Sequence, residues 1–318
     1  MVQSAASTTA EKAFFHAELA KLGPKSPPSS WSLTDANRYC QRIARASYEN
    51  FTVVSWFLPR KLRQDFFNVY AFCRWSDDLA DEIGTQDESL ELLKWWRQQL
   101  QLCFSGRPAH PIMVALQQTI RLHNLPIDHF TDLLSAFTQD QTVFRYADDN
   151  ELLDYCCRSA DPVGRIILKL AGANNESNDE LSDQVCTGLQ LANFCQDMLR
   201  DSQIGRIYLP RTRWVCHDVT EEEILLGKPT TALRQALSEW VQHARGYFGR
   251  GAKLIDQVPS WLSTDIELFI GGGNSILDAI ESQGYDVWTV RPQVSKAKKI
   301  KLLARSLAGR FNPLRRKA

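Results

Sequence analysis

Apolar residues along this chain recur every three or four positions, and the Val-Ile-Thr alternation of strands is absent. Phe66, Phe67, Val69, Tyr70 and Phe72 follow this period after Leu58-Pro59 and predict a helix over about 60–82. The same reading predicts helices over 87–104, 110–123, 126–138, 149–172, 178–201, 219–226, 229–257, 259–283 and 294–308. Ser32 or Thr34 can cap an earlier helix running to about residue 48, and a short helix fits 10–22. Ser177 and Glu180 form a capping box before the helix at 178, and Pro210 closes the loop after 201. No short-period repeat is present. The expectation is an all-α protein: a flexible arm over 1–30, one domain without linkers over 31–290, and a tail over 291–318.

Composition narrows this picture. The chain has 318 residues, 44 % hydrophobic and 23 % charged, as in globular proteins. No apolar run approaches the roughly 18 residues of a membrane span, and the N-terminal stretch does not read as a signal peptide. Eight scattered cysteines without a CxxC pair read as reduced core residues of a cytoplasmic protein. No HExxH occurs, so zinc has no evident home. The formal net charge is zero but uneven. Residues 291–318 carry ten Lys or Arg and no acid, leaving 37 − 10 = 27 basic against 37 acidic groups before them.

The helix over 60–82 is mostly apolar yet holds Asp77, Asp78 and Asp81 within five residues. Tyr70, Arg74, Asp77 and Asp81 share one stripe at i, i+4, i+7 and i+11. Gln190, Asn193, Asp197 and Asp201 form a second stripe. A spacing of four puts two carboxylates about 6 Å apart, where they repel by roughly 3 kcal/mol at an effective dielectric near 20. A lone DxxxD is ordinarily a solvated face. Two of them, one among aromatic neighbours, are costly unless paired or metal-bound. Two such stripes facing each other across a bundle make a cation site. Carboxylates that leave room for water and phosphate oxygens suit Mg2+ and a diphosphate. Arg74 and Arg206 would complete the anion clamp. Salt bridging to the same aspartates is their plainer role, and both can hold. The absence of a P-loop or GxGxxG argues against nucleotide phosphates and leaves a nicotinamide cofactor open.

The block Tyr70-Ala-Phe-Cys-Arg74-Trp-Ser-Asp77-Asp78-Leu-Ala-Asp81-Glu82 resembles the first motif of the squalene/phytoene synthase family, the head-to-head prenyl synthases. Gln190-Leu-Ala-Asn193-Phe-Cys-Gln196-Asp197-Met-Leu-Arg200-Asp201, followed by Gly205-Arg206-Ile-Tyr208-Leu-Pro210, resembles the second. Tyr155 to Gly164 is similar to the family's central segment, and Gly284-Tyr285-Asp286-Val287 to its closing helix end. The resemblance covers roughly 38–290. It implies a single-domain all-α isoprenoid synthase bundle with a central cavity and a prenyl diphosphate substrate. It implies magnesium on Asp77, Asp81, Asp197 and Asp201, supported by Asn193. Phe51, Phe72, Val163, Leu191 and Phe194 are available as an apolar wall for a carbocation, although each alone reads as ordinary core. Asn50, Gly164 and Gln190 are expected on the substrate side.

Three departures point within the family. Glu49-Asn50-Phe51 replaces a Ser-Phe, Gln196 replaces an Arg, and a family Tyr falls within Gly271-Gly272-Gly273. These are similar to the bacterial hopanoid-pathway branch that converts presqualene diphosphate to hydroxysqualene. Gln196 removes a cation where a second diphosphate would bind, and Gly273 would leave space for a capturing water. In this reading the cyclopropylcarbinyl cation rearranges and is quenched by water that Tyr155 or Tyr208 orients. The alternatives are presqualene diphosphate, squalene (with NADPH) or phytoene-type synthesis from two prenyl diphosphates. A non-catalytic partner or assembly protein is the alternative of another class, and such a relative should lose the aspartates. In the tail, Ile300, Leu302, Leu303 and Leu307 space the basic residues apolarly. Peripheral contact with the inner face of the membrane is expected there, rather than nucleic-acid binding.

Overall fold

Among the described residues no strand occurs; one isolated parallel bridge joins Arg145 to Ile207. The all-α expectation therefore holds. The computed structural model describes residues 5–27, 30–46, 58–295, 297–298 and 301–302. Asn50 and Phe51 lie outside these residues, as do Ile300, Leu303 and Leu307. Contacts gather into two units, Met1–Thr142 and Val143–Ala318.

The first unit contains α1 (Ala5–Leu22), α2 (Leu33–Ala46), α3 (Arg63–Asp81), α4 (Gln86–Phe104), α5 (Pro111–His123) and α6 (Ile127–Gln139). Ser32, not Thr34, caps α2: its Oγ accepts the Asp35 amide at 3.1 Å. A 3-10 turn over Arg60–Leu62 precedes α3. The core is aromatic. Trp75 and Trp96 stack at 5.4 Å, Phe72 stacks on Trp96 at 5.8 Å, and Phe130 meets Phe72 edge-on. His110 lies edge-on to Trp75 at 4.5 Å, and burial pushes its pKa down to about 3. Asn68 ties α3 to α5 by donating to the Ala115 carbonyl and to Thr119 Oγ1.

The second unit contains α7 (Asp149–Ser159), α8 (Asp161–Ala171), α9 (Glu176–Gln203), α10 (Arg211–Val215), α11 (Glu221–Leu225), α12 (Thr231–Gly251) and α13 (Ser260–Ser282). The single helix expected over 149–172 is two. Ala160 leaves helical geometry at φ −122°, because Pro162 has no N–H to continue the ladder. The capping box expected at Ser177 and Glu180 does not form. Asn175 caps instead, its Oδ1 accepting the Asn178 amide at 2.9 Å, and α9 begins a little earlier. The helix expected over 229–257 ends at Gly251 and tightens into a 3-10 turn over Ala252–Asp256. The short α10 has too few residues to show a period.

Helix α9 packs against α8, α12 and α13. Its approach to them depends on glycines. A Cβ at Gly164 of α8 would collide with Ser182 and Cys186 of α9. Phe248 of α12 is buried, and its ring occupies the space of a Cβ at Gly273 of α13. The same ring lies 3.0 Å from where a Cβ of Gly188 on α9 would sit. Neighbouring Gly272 has nothing within 4 Å of its Cβ position. Gly273→Ala should therefore destabilise the protein by about 1–3 kcal/mol through overpacking. Gly272→Ala should be neutral or stabilise by up to about 1 kcal/mol through helix propensity. Urea unfolding of the two variants measures the contrast.

Candidate active site

Helix α3 sorts its polar residues by side. Phe72, Trp75, Asp78 and Leu79 are buried, whereas Tyr70, Arg74 and Asp77 are partly exposed and Asp81 is exposed. The predicted stripe is thus the wetter side of the helix. Arg74 sits inside the acidic group: its Nη2 donates to Asp78 Oδ1 at 2.5 Å, and Nη1 is 3.4 Å from Asp77 Oδ2. Asp78 was not among the expected site residues. Its signal was Arg74 four residues earlier, the spacing of a helical ion pair. Burial, partly offset by Arg74, pushes Asp78 up to about 7. Asp77 is pushed up to about 6 by burial and by repulsion from Asp81, although much of its side chain meets solvent. Phe72, expected as cavity wall, is fully buried against Trp96 and Phe130 and belongs to the core.

Helix α9 carries the second stripe. Asn193 is exposed, Asp197 is buried and Asp201 is half-buried. Gln190 is half-buried, and Leu191 is core. Burial and repulsion from Asp197 push Asp201 up to about 7, against the pull of Arg200, Arg206 and Arg291. Asp197 is clamped by Arg291, whose Nε and Nη2 reach Oδ1 at 2.5 Å and Oδ2 at 3.1 Å. Gln196 donates Nε2 to the Pro292 carbonyl at 2.7 Å. The expectation that Gln196 strips this region of a cation is therefore corrected. A guanidinium arrives from Arg291, a residue that no helical spacing could have linked to Asp197.

The loop after α9 is tied down. Gly205 takes a left-handed φ of 77°, and the Ile207 amide donates to Phe144 at 3.0 Å. Arg145 Nη1 donates to the carbonyls of Gly205 and Phe144, while its Nε and Nη2 reach Glu221. Arg206 and Tyr208 ride on this loop. Tyr208 stacks on Phe194 at 4.0 Å with an interplanar angle of 9°. Tyr155 lies 6.3 Å from Phe194 and 6.1 Å from Tyr208, and Tyr146 stacks on Tyr208 at 5.8 Å. Three expected residues thus meet, with Tyr146 as an addition. Val163 is half-buried, and Gly164 serves the α8–α9 contact described above, so no substrate contact is needed to explain it. Gly273 is likewise corrected: Phe248 fills the space expected for water.

Among the described residues no three His, Cys, Asp or Glu side chains converge as a ready-made metal cage. Each aspartate pair instead offers two carboxylates that repel each other, one of which, Asp197, already binds a guanidinium. That donor set fits Mg2+, which keeps water and phosphate oxygens in its shell.

The raised carboxyl pKa values set a pH dependence. Asp77, Asp78 and Asp201 hold protons more tightly folded than unfolded, so their contribution to metal-free stability falls as pH rises from about 4 through 7. Magnesium would take the place of protons on Asp77 and Asp201. The rise in Tm on adding magnesium should be larger near pH 8 than near pH 6. The difference with and without metal is the proper readout, since buried neutral His110 destabilises in the opposite sense on acidification. Equal rises at both pH values would contradict this account.

Residues 44–298 match the family described as squalene/phytoene synthase. A phytoene synthase of Arthrospira platensis is 30 % identical over 289 residues, covering 85 % of this chain and 92 % of that protein. The crystal structure of the squalene synthase HpnC from Alicyclobacillus acidocaldarius superposes with a TM-score of 0.77 at 40 % identity, covering 80 % of this chain and 96 % of that one. A ligand-bound dehydrosqualene synthase shares the fold at a TM-score of 0.78 and 22 % identity, covering 87 % and 97 %. With both aspartate helices in place and a family match across most of its length, this chain belongs to the squalene/phytoene synthase family.

Proposed function

We propose that this enzyme ionises presqualene diphosphate and delivers the rearranged cation to water, giving hydroxysqualene. Asp77 with Asp81, and Asp197 with Asp201, would hold magnesium, with Asn193 beside the second pair. Bound there, magnesium neutralises charge on the departing diphosphate. Arg74 beside the first pair and Arg206 beside the second would each be available to donate to phosphate oxygens.

The observation that carries the reading is the ring cluster of Tyr146, Tyr155, Phe194 and Tyr208. Aromatic faces stabilise a nearby cation without attacking it. Phe194 lies one turn before Asp197, close to where charge would separate. Three of the four rings bear hydroxyls, which suits a site that orients one water while excluding bulk solvent. Likeness to HpnC at 40 % identity supports squalene-type chemistry. Condensation of two prenyl diphosphates is the second reading. The phytoene synthase likeness favours it, and so does Arg291, which supplies a cation beside the second pair despite Gln196.

Incubation with presqualene diphosphate or farnesyl diphosphate, each with and without NADPH, separates these readings. Hydroxysqualene from presqualene diphosphate alone is expected; consumption of farnesyl diphosphate alone would displace the first reading. Tyr208→Phe keeps the ring and should keep turnover within about tenfold, since it removes at most one water-orienting group. Its product should shift from alcohol toward hydrocarbon. An unchanged alcohol fraction in both Tyr208→Phe and Tyr155→Phe would count against water orientation by this cluster.

We also propose that the basic tail touches anionic membrane peripherally. No helix among the described residues is long and apolar enough to cross a membrane. Arg291 and Lys298 are already engaged with Asp197 and Asp278, and Leu302 lies over Gly271. The proposal therefore rests on the later basic residues. Neutralising Arg315, Arg316 and Lys317 together with Gln should lower co-sedimentation with anionic vesicles, each charge contributing about 1 kcal/mol near such a surface. Equal partitioning of wild type and variant would refute the contact.

A further inference from the structure

The segment after α13 is fastened to the second unit at several points. The Arg291 guanidinium makes a two-pronged ion pair with Asp197. The Pro292 carbonyl accepts from Gln196. Farther along, Lys298 Nζ reaches Asp278 Oδ2 at 2.8 Å, and a Leu302 methyl lies 2.9 Å from the Cβ position of Gly271 on α13. Two of these anchors fall on consecutive residues of the second aspartate motif. Proline and glutamine are well matched for this. Pro292 has no N–H to satisfy, so its carbonyl is the group to hold, and a neutral amide can hold it without competing with Arg291 for Asp197.

We propose that Arg291 is a tethered competitor for the metal at Asp197, and that Gln196 is the positioning residue that keeps it there. A carboxylate that accepts a guanidinium through both oxygens has given up one lone pair on each, and the bound positive charge repels a cation approaching those that remain. Metal arriving at Asp197 competes with the guanidinium for the carboxylate, and displacement removes the two-pronged anchor at the near end of the strap that begins at Arg291. Metal loading and seating of the strap are therefore linked: each weakens the other by the same factor. Gln196 in this role needs no contact with substrate, which gives the departure from Arg a physical function. This inference rests on the reading of Asp197 as a metal ligand.

The test uses the full-length protein and Mn2+, whose free form is counted by electron paramagnetic resonance. Arg291→Gln should bind Mn2+ about five- to tenfold more tightly than wild type, the size expected of one half-exposed, two-pronged ion pair. Gln196→Leu should shift affinity in the same direction by less. Arg291→Lys, which keeps the charge but loses the fork, should fall between wild type and Arg291→Gln. Hydrogen exchange of the peptide over 286–302 should quicken when wild type is saturated with Mn2+. In Arg291→Gln it should be fast already and insensitive to metal. Lys298→Ala, at the far end, should quicken exchange and tighten Mn2+ binding by less than Arg291→Gln does. Unchanged or weaker Mn2+ binding by Arg291→Gln, with wild-type Tm, would overturn the proposal. Asp77→Asn and Asp197→Asn separate it from the underlying reading. If neither alters Mn2+ binding, the metal assignment itself fails and the strap proposal falls with it. If both do while the strap exchanges at one rate with and without metal, only the strap proposal falls.

Discussion

Repulsion between carboxylates on one helix face is the constraint around which both functional halves are arranged. A helix that places acids four residues apart pays for them unless a cation is supplied. The two halves supply it differently. In α3 the cation is internal: Arg74 lies one turn ahead and pairs inward with buried Asp78, leaving Asp77 and Asp81 toward the wetter side. In α9 it comes from Arg291, beyond the last long helix. The protein can thus fold with its charges compensated before any metal arrives, and the compensation differs in how easily it is undone. Arg74 is half-buried and held from its own helix, whereas Arg291 is reached only through the chain that follows α13.

Much of this was legible in the sequence because helical period is a strong signal. The stripe of Tyr70, Arg74, Asp77 and Asp81 lies on one side of α3 as its spacing requires, whereas the meeting of Tyr155, Phe194 and Tyr208 rests on tertiary packing. What was not legible is instructive. Three acids in five residues look alike on paper; only packing turns Asp78 inward. The Arg291–Asp197 pair joins positions with no shared period. The glycine row was misread because an absent side chain reads as empty space, whereas a close-packed interior fills such space from a neighbour. Asn175 and Ser177 are both competent caps, and local sequence does not rank them.

The second unit also shows how a loop can be as well defined as a helix. The turn after α9 has one bridge, one left-handed glycine and one arginine that satisfies two carbonyls and an acid. Arg145 thereby converts a flexible exit into a mount for Arg206 and Tyr208. The ring of Tyr208 then completes a stack with Phe194, so that the rigidity of α9 extends past its own end. A positioning element of this kind is hard to see from motifs, since Arg145 lies far from the residues it serves.

Phe248 between Gly188 and Gly273 has a consequence for the history of this chain. Three helices meet at one ring, and none of the three positions can change size alone. A larger residue at 273 becomes acceptable only after 248 has shrunk, and a smaller residue at 248 leaves a void until 188 or 273 has grown. Evolutionary paths through this contact must therefore run in a particular order. Relatives carrying a large side chain at the position of Gly273 should carry a smaller one at that of Phe248, so the pair should change together across lineages even though neither touches the aspartates.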